Sequence, residues 1–179
     1  MQSLLRLSKG IDGFNEKISW IADWMVLLSC SVSALNAAVR YAFNYSSNAY
    51  LEIQWYMFGA MVFLGASYTL KLNEHVRVDI IYSSISDRAR LWVDLLGFIV
   101  FMLPITIFLA WMSWPLFWIA FKSGEMSSNA GGLMTWPAKI LIPLGFILLT
   151  IQGVSELIKR IAALRGEYQF EAKYEKPLQ

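Results

Sequence analysis

The 179-residue sequence is short of the residues that most site chemistry requires. It has one histidine, His75, and one cysteine, Cys30. A lone histidine cannot provide bis-histidine haem ligation within the chain, and no second histidine or cysteine stands near it to complete a metal site. A lone cysteine forms no internal disulfide. Cys30 sits in an apolar run, where a small buried thiol is expected. There is no G-x-x-x-x-G-K-S/T phosphate loop and no serine-nucleophile motif. Charged residues make up only 16%, against ~25% in soluble domains. The net charge of +2, without a dense basic run, gives no footing for nucleic acid.

What the sequence does have is apolar length: 57% of it is hydrophobic. A helix crosses the bilayer core with roughly 20 mostly apolar residues. Four runs qualify, at about 18–43, 50–72, 87–121 and 136–159. The expectation is an all-α integral membrane protein with four transmembrane helices, forming one membrane domain over 1–160 and a polar cytoplasmic tail over 161–179. The first seventeen residues are polar, with Arg6, Lys9, Asp12, Glu16 and Lys17. The run after them is too long for a cleavable signal and lacks a small-residue cleavage site, so it reads as a retained, insertion-directing helix. The third run has 35 residues, or ~50 Å of helix. It must tilt, bend or project into water, and Pro104 and Pro115 predict a bend.

Lys and Arg placement orients the chain. Twelve lie in the N-terminal segment, the 71–90 connection and the tail; Arg40, Lys122 and Lys139 lie on the other side. Both ends are therefore expected in the cytoplasm, with the 44–49 turn and the 122–135 loop outside. Trp111, Trp114, Trp118 and Trp136 cluster at that outer end, as amphipathic rings do at an interface.

Polar residues within spans are costly and are candidates for function. In the first run Ser29, Ser33, Asn36 and Arg40 form one helical stripe. In the second, Glu52, Gly59, Ala66 and Asn73 recur every seven residues, combining small residues for close approach with polar ones for cross-helix bonds. The short 44–49 turn makes these helices antiparallel neighbours, which predicts an Arg40–Glu52 pair. Asp94 is expected to pair with Arg90 or snorkel to the interface, and Glu156 likewise to pair with Arg160 or snorkel.

The densest polar cluster is Asn73-Glu74-His75-Val76-Arg77-Val78-Asp79. Its alternation resembles a strand, but a lone strand cannot lie in lipid. A surface segment leading into a short interfacial amphipathic helix, with Ile80, Ile81 and Ile85 dipping inward, is expected instead. Ser86 then caps the third helix ahead of Asp87.

The stretch from Gly65 to Ile80 resembles the hallmark of the small membrane subunit of tripartite ATP-independent periplasmic (TRAP) transporters, the DctQ family. There a helix end leads into an E/Q-H-I/V-R-V/I-D signature, matched here by Glu74-His75-Val76-Arg77-Val78-Asp79, and then an arginine pair, matched by Arg88 and Arg90. The resemblance covers nearly the whole chain. One departure is that Glu52 is followed by Ile53-Gln54-Trp55, where members often carry a second acid.

The resemblance implies a non-catalytic subunit, without cofactor, in the bacterial inner membrane. Its implied partners are a large permease that holds the substrate and coupling-sodium sites, a periplasmic substrate-binding protein that delivers an organic anion, and membrane lipids. Arg40, Glu52, Gly59, Ala66, His75, Arg77 and Asp79 become candidates for subunit or lipid contact. Lys122, Glu125, Ser128 and Asn129 become candidates for docking the binding protein. Two other classes compete: a respiratory-enzyme membrane anchor, which the lone His75 disfavours, and a stand-alone channel or carrier. Against the latter, the spans lack a repeated charged ring and paired broken helices.

Overall fold

The computed structural model describes residues 1–74 and 85–168, and their regular structure is helical apart from one isolated bridge between Met126 and Met134. Helix α1 spans Gln2–Phe43 and α2 Asn48–Leu72. Helix α3, Asp87–Gly97, passes through a wide π turn at Phe98–Met102 into α4, Leu103–Ser123. Helix α5 spans Trp136–Leu164.

Local chemistry sets the ends. Asn44 closes α1 and Asn73 closes α2 in the left-handed conformation, which asparagine tolerates better than most residues. Asn73 is thus a cap rather than the last member of the α2 stripe. Ser47 starts α2 by accepting from the Ala49 N–H. Ser86 starts α3 as expected, its hydroxyl accepting from the Ala89 N–H at 3.4 Å. The wide turn falls directly before Pro104, which lacks the N–H that a regular helix would offer the Val100 carbonyl. In the turn the Leu103 N–H reaches back to the Phe98 carbonyl instead.

Helix α1 begins well before the apolar run at 18–43, because it is continuous from Gln2 through the polar residues. One expectation about α1 changes. Cys30 is exposed rather than buried. Ser29 takes the inward position, and the next residue lies ~100° round the helix.

Helix α5 is the hub. It packs against α1, α2 and α4, while α1 and α2 lie against each other. Gly145 permits the α2–α5 approach: a Cβ there would fall 2.7 Å from Phe63 Cβ and 2.8 Å from the Phe63 carbonyl. Among the described residues, three helical stretches are long and apolar enough to cross a bilayer: α1, the continuous 87–123 helix, and α5. Helix α2 is not among them. Large apolar side chains cover the outer faces, including Trp20, Trp24, Leu27, Phe101, Phe108 and Trp111. Such a surface is stable in lipid or against a partner and unstable in water.

Candidate functional site

Polar side chains gather at the two ends of the bundle. At the Ser47 end of α2, Glu52 sits one turn into the helix and is buried at 5% exposure. Its carboxylate accepts from three donors of the 124–135 loop: the Ser127 hydroxyl, Asn129 Nδ2 at 2.9 Å and the Leu133 backbone N–H at 2.6 Å. Asn48 Nδ2 adds a bond to the Ala130 carbonyl, and the Tyr56 hydroxyl one to the Met134 carbonyl. The loop folds back on itself through Ser127 N–H to Leu133 O and Thr135 N–H to Glu125 O, both 2.9 Å. Gly132 lets this happen, because a Cβ there would lie 2.6 Å from Ser127 Cβ and 2.9 Å from Glu52 Oε1.

This geometry overturns the expected Arg40–Glu52 pair. Glu52 is satisfied by the loop, and among the described residues no carboxylate lies within ion-pair distance of Arg40. A charged acceptor facing three aligned donors is already satisfied, so nothing draws it to a guanidinium on another helix.

The other residues expected to dock the binding protein also have places, with Lys122 in the last turn of α4 rather than in the loop. Glu125 receives the Lys139 ammonium at 2.7 Å. That hydrogen bond, opposed by partial desolvation, holds the Glu125 carboxyl below its ordinary value. Lys122 stands over the Trp118 ring at 5.0 Å. Asn129 points its amide inward at Glu52, whereas Ser128 is exposed at the loop tip. Gly59 faces α5, where its Cβ position lies 3.6 Å from Leu141 Cδ1, and Ala66 is half-buried. His75, Arg77 and Asp79, with Ile80 and Ile81, lie outside the described residues.

At the opposite end, a network appears that sequence reasoning only touched. Helix α1 contributes Ser8, Asp12 and Asn15; α5 contributes Gln152, Ser155, Glu156, Lys159 and Arg160; α3 contributes Asp94. Asn15 Nδ2 donates to Gln152 Oε1 at 2.7 Å, and Gln152 Nε2 donates to Asp12 at 2.9 Å. Ser155 donates to Asp12 at 2.8 Å and meets the Ser8 hydroxyl at 2.7 Å. Lys159 bridges Asp12 and Glu156, each at 2.7 Å. Arg160, 1% exposed, joins Glu156 at 2.7 Å and Asp94 at 3.2 Å, and lies 4.4 Å from the Phe98 ring centre.

The Glu156–Arg160 pair is as expected, but Asp94 reaches across to α5, while Arg90 pairs with Asp87 at 3.0 Å. Burial alone would raise the Asp12 carboxyl; hydrogen bonds from Lys159, Gln152 and Ser155 outweigh it and hold the group below its ordinary value. A signal for this network existed. Ser8, Asp12, Asn15 and Ser19 step by four, three and four, and Gln152, Glu156 and Lys159 by four and three. Those spacings put each set on one helical face. The arrangement fastens α1 and α3 to α5.

Residues 18–163 match the family model of the DctQ component of tripartite ATP-independent periplasmic transporters. The match takes in the Glu52 latch, Asp94 and the α5 half of the ion network. The chain belongs to the DctQ family. It is therefore a small subunit of a TRAP transporter and a multi-pass membrane protein. Searches of curated proteins and of solved structures gave no match. Within this DctQ-family chain the α1 half of the network, Ser8, Asp12 and Asn15, precedes the matched segment. The membership gives the respiratory-anchor reading no support.

Proposed function

We propose that this DctQ-family chain is the non-catalytic small subunit of a sodium-coupled TRAP transporter for organic anions of the carboxylate type. It scaffolds the large permease subunit in the bacterial inner membrane, and its 122–135 loop helps dock the periplasmic binding protein. The family match across 18–163 carries this reading. Four crossings with both ends in the cytoplasm fit the Lys and Arg distribution, and α2 at 25 residues has ~37 Å of length for the second. Shielding by α1 and α5 lets it tolerate more polar residues than a lipid-facing span.

The latch supports the docking role. A loop held by Glu52, Asn48 and Tyr56 presents Glu125 and Ser128 beside Lys122 at the end of α4, so little order is lost when a partner binds. The subunit itself carries no cofactor, and coupling sodium belongs to the large subunit.

Reconstitution tests the reading. Proteoliposomes holding this chain, the large subunit and the binding protein should take up a labelled carboxylate only with an inward sodium gradient. Omitting this chain should abolish uptake. Uptake by the chain alone, or a haem absorbance that co-purifies with it, would overturn the proposal.

A further inference from the structure

One stripe of α1 stays apolar as the helix leaves its membrane-crossing run. Leu7, Phe14, Ile21, Leu28 and Leu35 recur every seven residues, and all five are exposed. Ile21, Leu28 and Leu35 belong to the apolar run, yet Phe14 and Leu7 carry the stripe on among charged residues. The flank beside the stripe changes along the way. Arg6 stands fourteen residues before Trp20, and Lys17 seven before Trp24, so each cation continues the position of a tryptophan. Trp20 and Trp24 are exposed and meet edge to face at 5.8 Å. At ~100° per residue, Asp12, Glu16 and Asp23 fall within ~40° of one another, on the side turned away from the stripe. Asp12 is engaged there by Lys159, and Glu16 by Lys71. Among the described residues no carboxylate lies within ion-pair distance of Arg6 or Lys17.

Hydrocarbon, aromatic belt and anionic headgroup succeed one another in that order across a leaflet. Leu27, then Trp24 and Trp20, then Lys17 and Arg6 follow the same order along α1. Water would leave Leu7 and Phe14 uncovered, and a protein partner requires no such succession of layers. The packing of α1 on α5 brings this end to the membrane surface. Asn15 meets Gln152 at 2.7 Å, and Ser8 meets Ser155 at 2.7 Å. Between these contacts α1 advances seven residues, ~10 Å, while α5 advances three, ~4.5 Å. Where α5 crosses the bilayer, α1 therefore leans toward the membrane plane and keeps residues 4–17 beside the headgroups. Leu4 is exposed there as well.

We infer that residues 4–17 of α1 lie in the headgroup layer, on the side of the bilayer where Lys71 and Lys159 stand. Leu7 and Phe14 enter the acyl chains, and Arg6 and Lys17 bind the phosphates of anionic phospholipids. Each cation held at such a surface favours an anionic over a zwitterionic lipid about fivefold. The assignment requires only that the chain crosses a membrane, so it stands apart from sodium coupling and from binding-protein docking.

The test uses the full chain reconstituted with its large subunit in phospholipid vesicles. Cys30→Ser removes the exposed native thiol, and Leu7→Cys takes a small fluorophore. Emission from position 7 should be quenched by lipids brominated on their acyl chains and shielded from aqueous iodide. The same fluorophore at Lys9→Cys, on the side of the acids, should respond to iodide instead. Brominated phosphatidylglycerol should associate beside position 7 at least about tenfold more than brominated phosphatidylcholine. Arg6→Gln with Lys17→Gln should bring that ratio near one, and high salt should shrink it.

Iodide quenching at position 7 would overturn the inference by placing the segment in water. Protection from both quenchers would overturn it by showing that protein covers this face. Equal association of the two lipids, with Arg6 and Lys17 in place, would overturn the anionic assignment. Should the double variant fail to accumulate, that comparison of the two lipids decides.

Discussion

The Glu52 carboxylate accepts a hydrogen bond from the Leu133 backbone N–H at 2.6 Å, across 81 residues of sequence. That contact makes the start of α2 and the far loop one unit. Glu52→Ala should lower the melting temperature of the purified chain by about 5 °C, the scale of losing one well-made polar contact in a domain of this size. Glu52→Gln, which keeps one acceptor oxygen, should cost less. Arg40→Gln should leave the melting temperature of the isolated chain unchanged, since the two residues are not partners. Fluorescence-detected size exclusion after heating measures all three. Equal losses for Arg40→Gln and Glu52→Gln would restore the ion pair.

Gly145 sets how closely α2 and α5 approach. Gly145→Ala places a methyl group 2.7 Å from Phe63 Cβ and 2.8 Å from a backbone carbonyl that cannot swing away. The cost should be about 1–3 kcal/mol, typical of overpacking. Gly97→Ala, which meets nothing within 4 Å, is the matched control. Thermal melts in detergent should separate the two.

Arg160 stands between Glu156 and Asp94 with almost no solvent contact. Arg160→Ala strips a buried cation from both acids and should cost about 3–5 kcal/mol. Replacing Arg160 and Glu156 together by Met and Leu should recover much of that loss, because no unpaired charge from that pair remains. A double-mutant cycle on melting temperature gives the coupling.

The Asp12 bonds predict an acid-sensitive N-terminal segment. The folded carboxyl titrates below its ordinary value of 3.8. Its stabilisation is therefore present above that value and is lost as pH falls through the lowered one. Pepsin cleavage within residues 2–17 should rise as pH drops below the ordinary carboxylate range. Asp12→Asn should already be cut readily at the higher end of the pepsin range. Cleavage independent of both pH and Asp12 would show that this bond does not hold the segment.

Much of the architecture is legible from apolar run length, because a span must be long and dry whatever it packs against. The runs at 18–43, 87–121 and 136–159 fall within helices for that reason. The Ser86 cap and the disturbance before Pro104 were equally readable, since each depends on neighbours a few residues away.

The family also came from sequence, through the Glu74–Asp79 signature and the arginine pair. What sequence could not choose was partners. Glu52 and Arg40 have opposite charges on neighbouring helices, yet the 124–135 loop folds back and holds Glu52. Asp94 has a local arginine four residues away, yet it reaches Arg160 on α5.

The sequence by itself determined which segments are helical and to which family the chain belongs, and it marked several helix ends, though not the start of α1 at Gln2. Those properties rest on short-range sterics, hydropathy and motif. Only the tertiary structure decided which polar groups meet. It placed Glu52 under a loop, Asp12 beneath Lys159, and the inner face of α1 under cover as far as Ser29 but open from Ser33 onward. Pairing depends on distances between elements far apart in the chain, and periodicity encodes a face without encoding what lies opposite it.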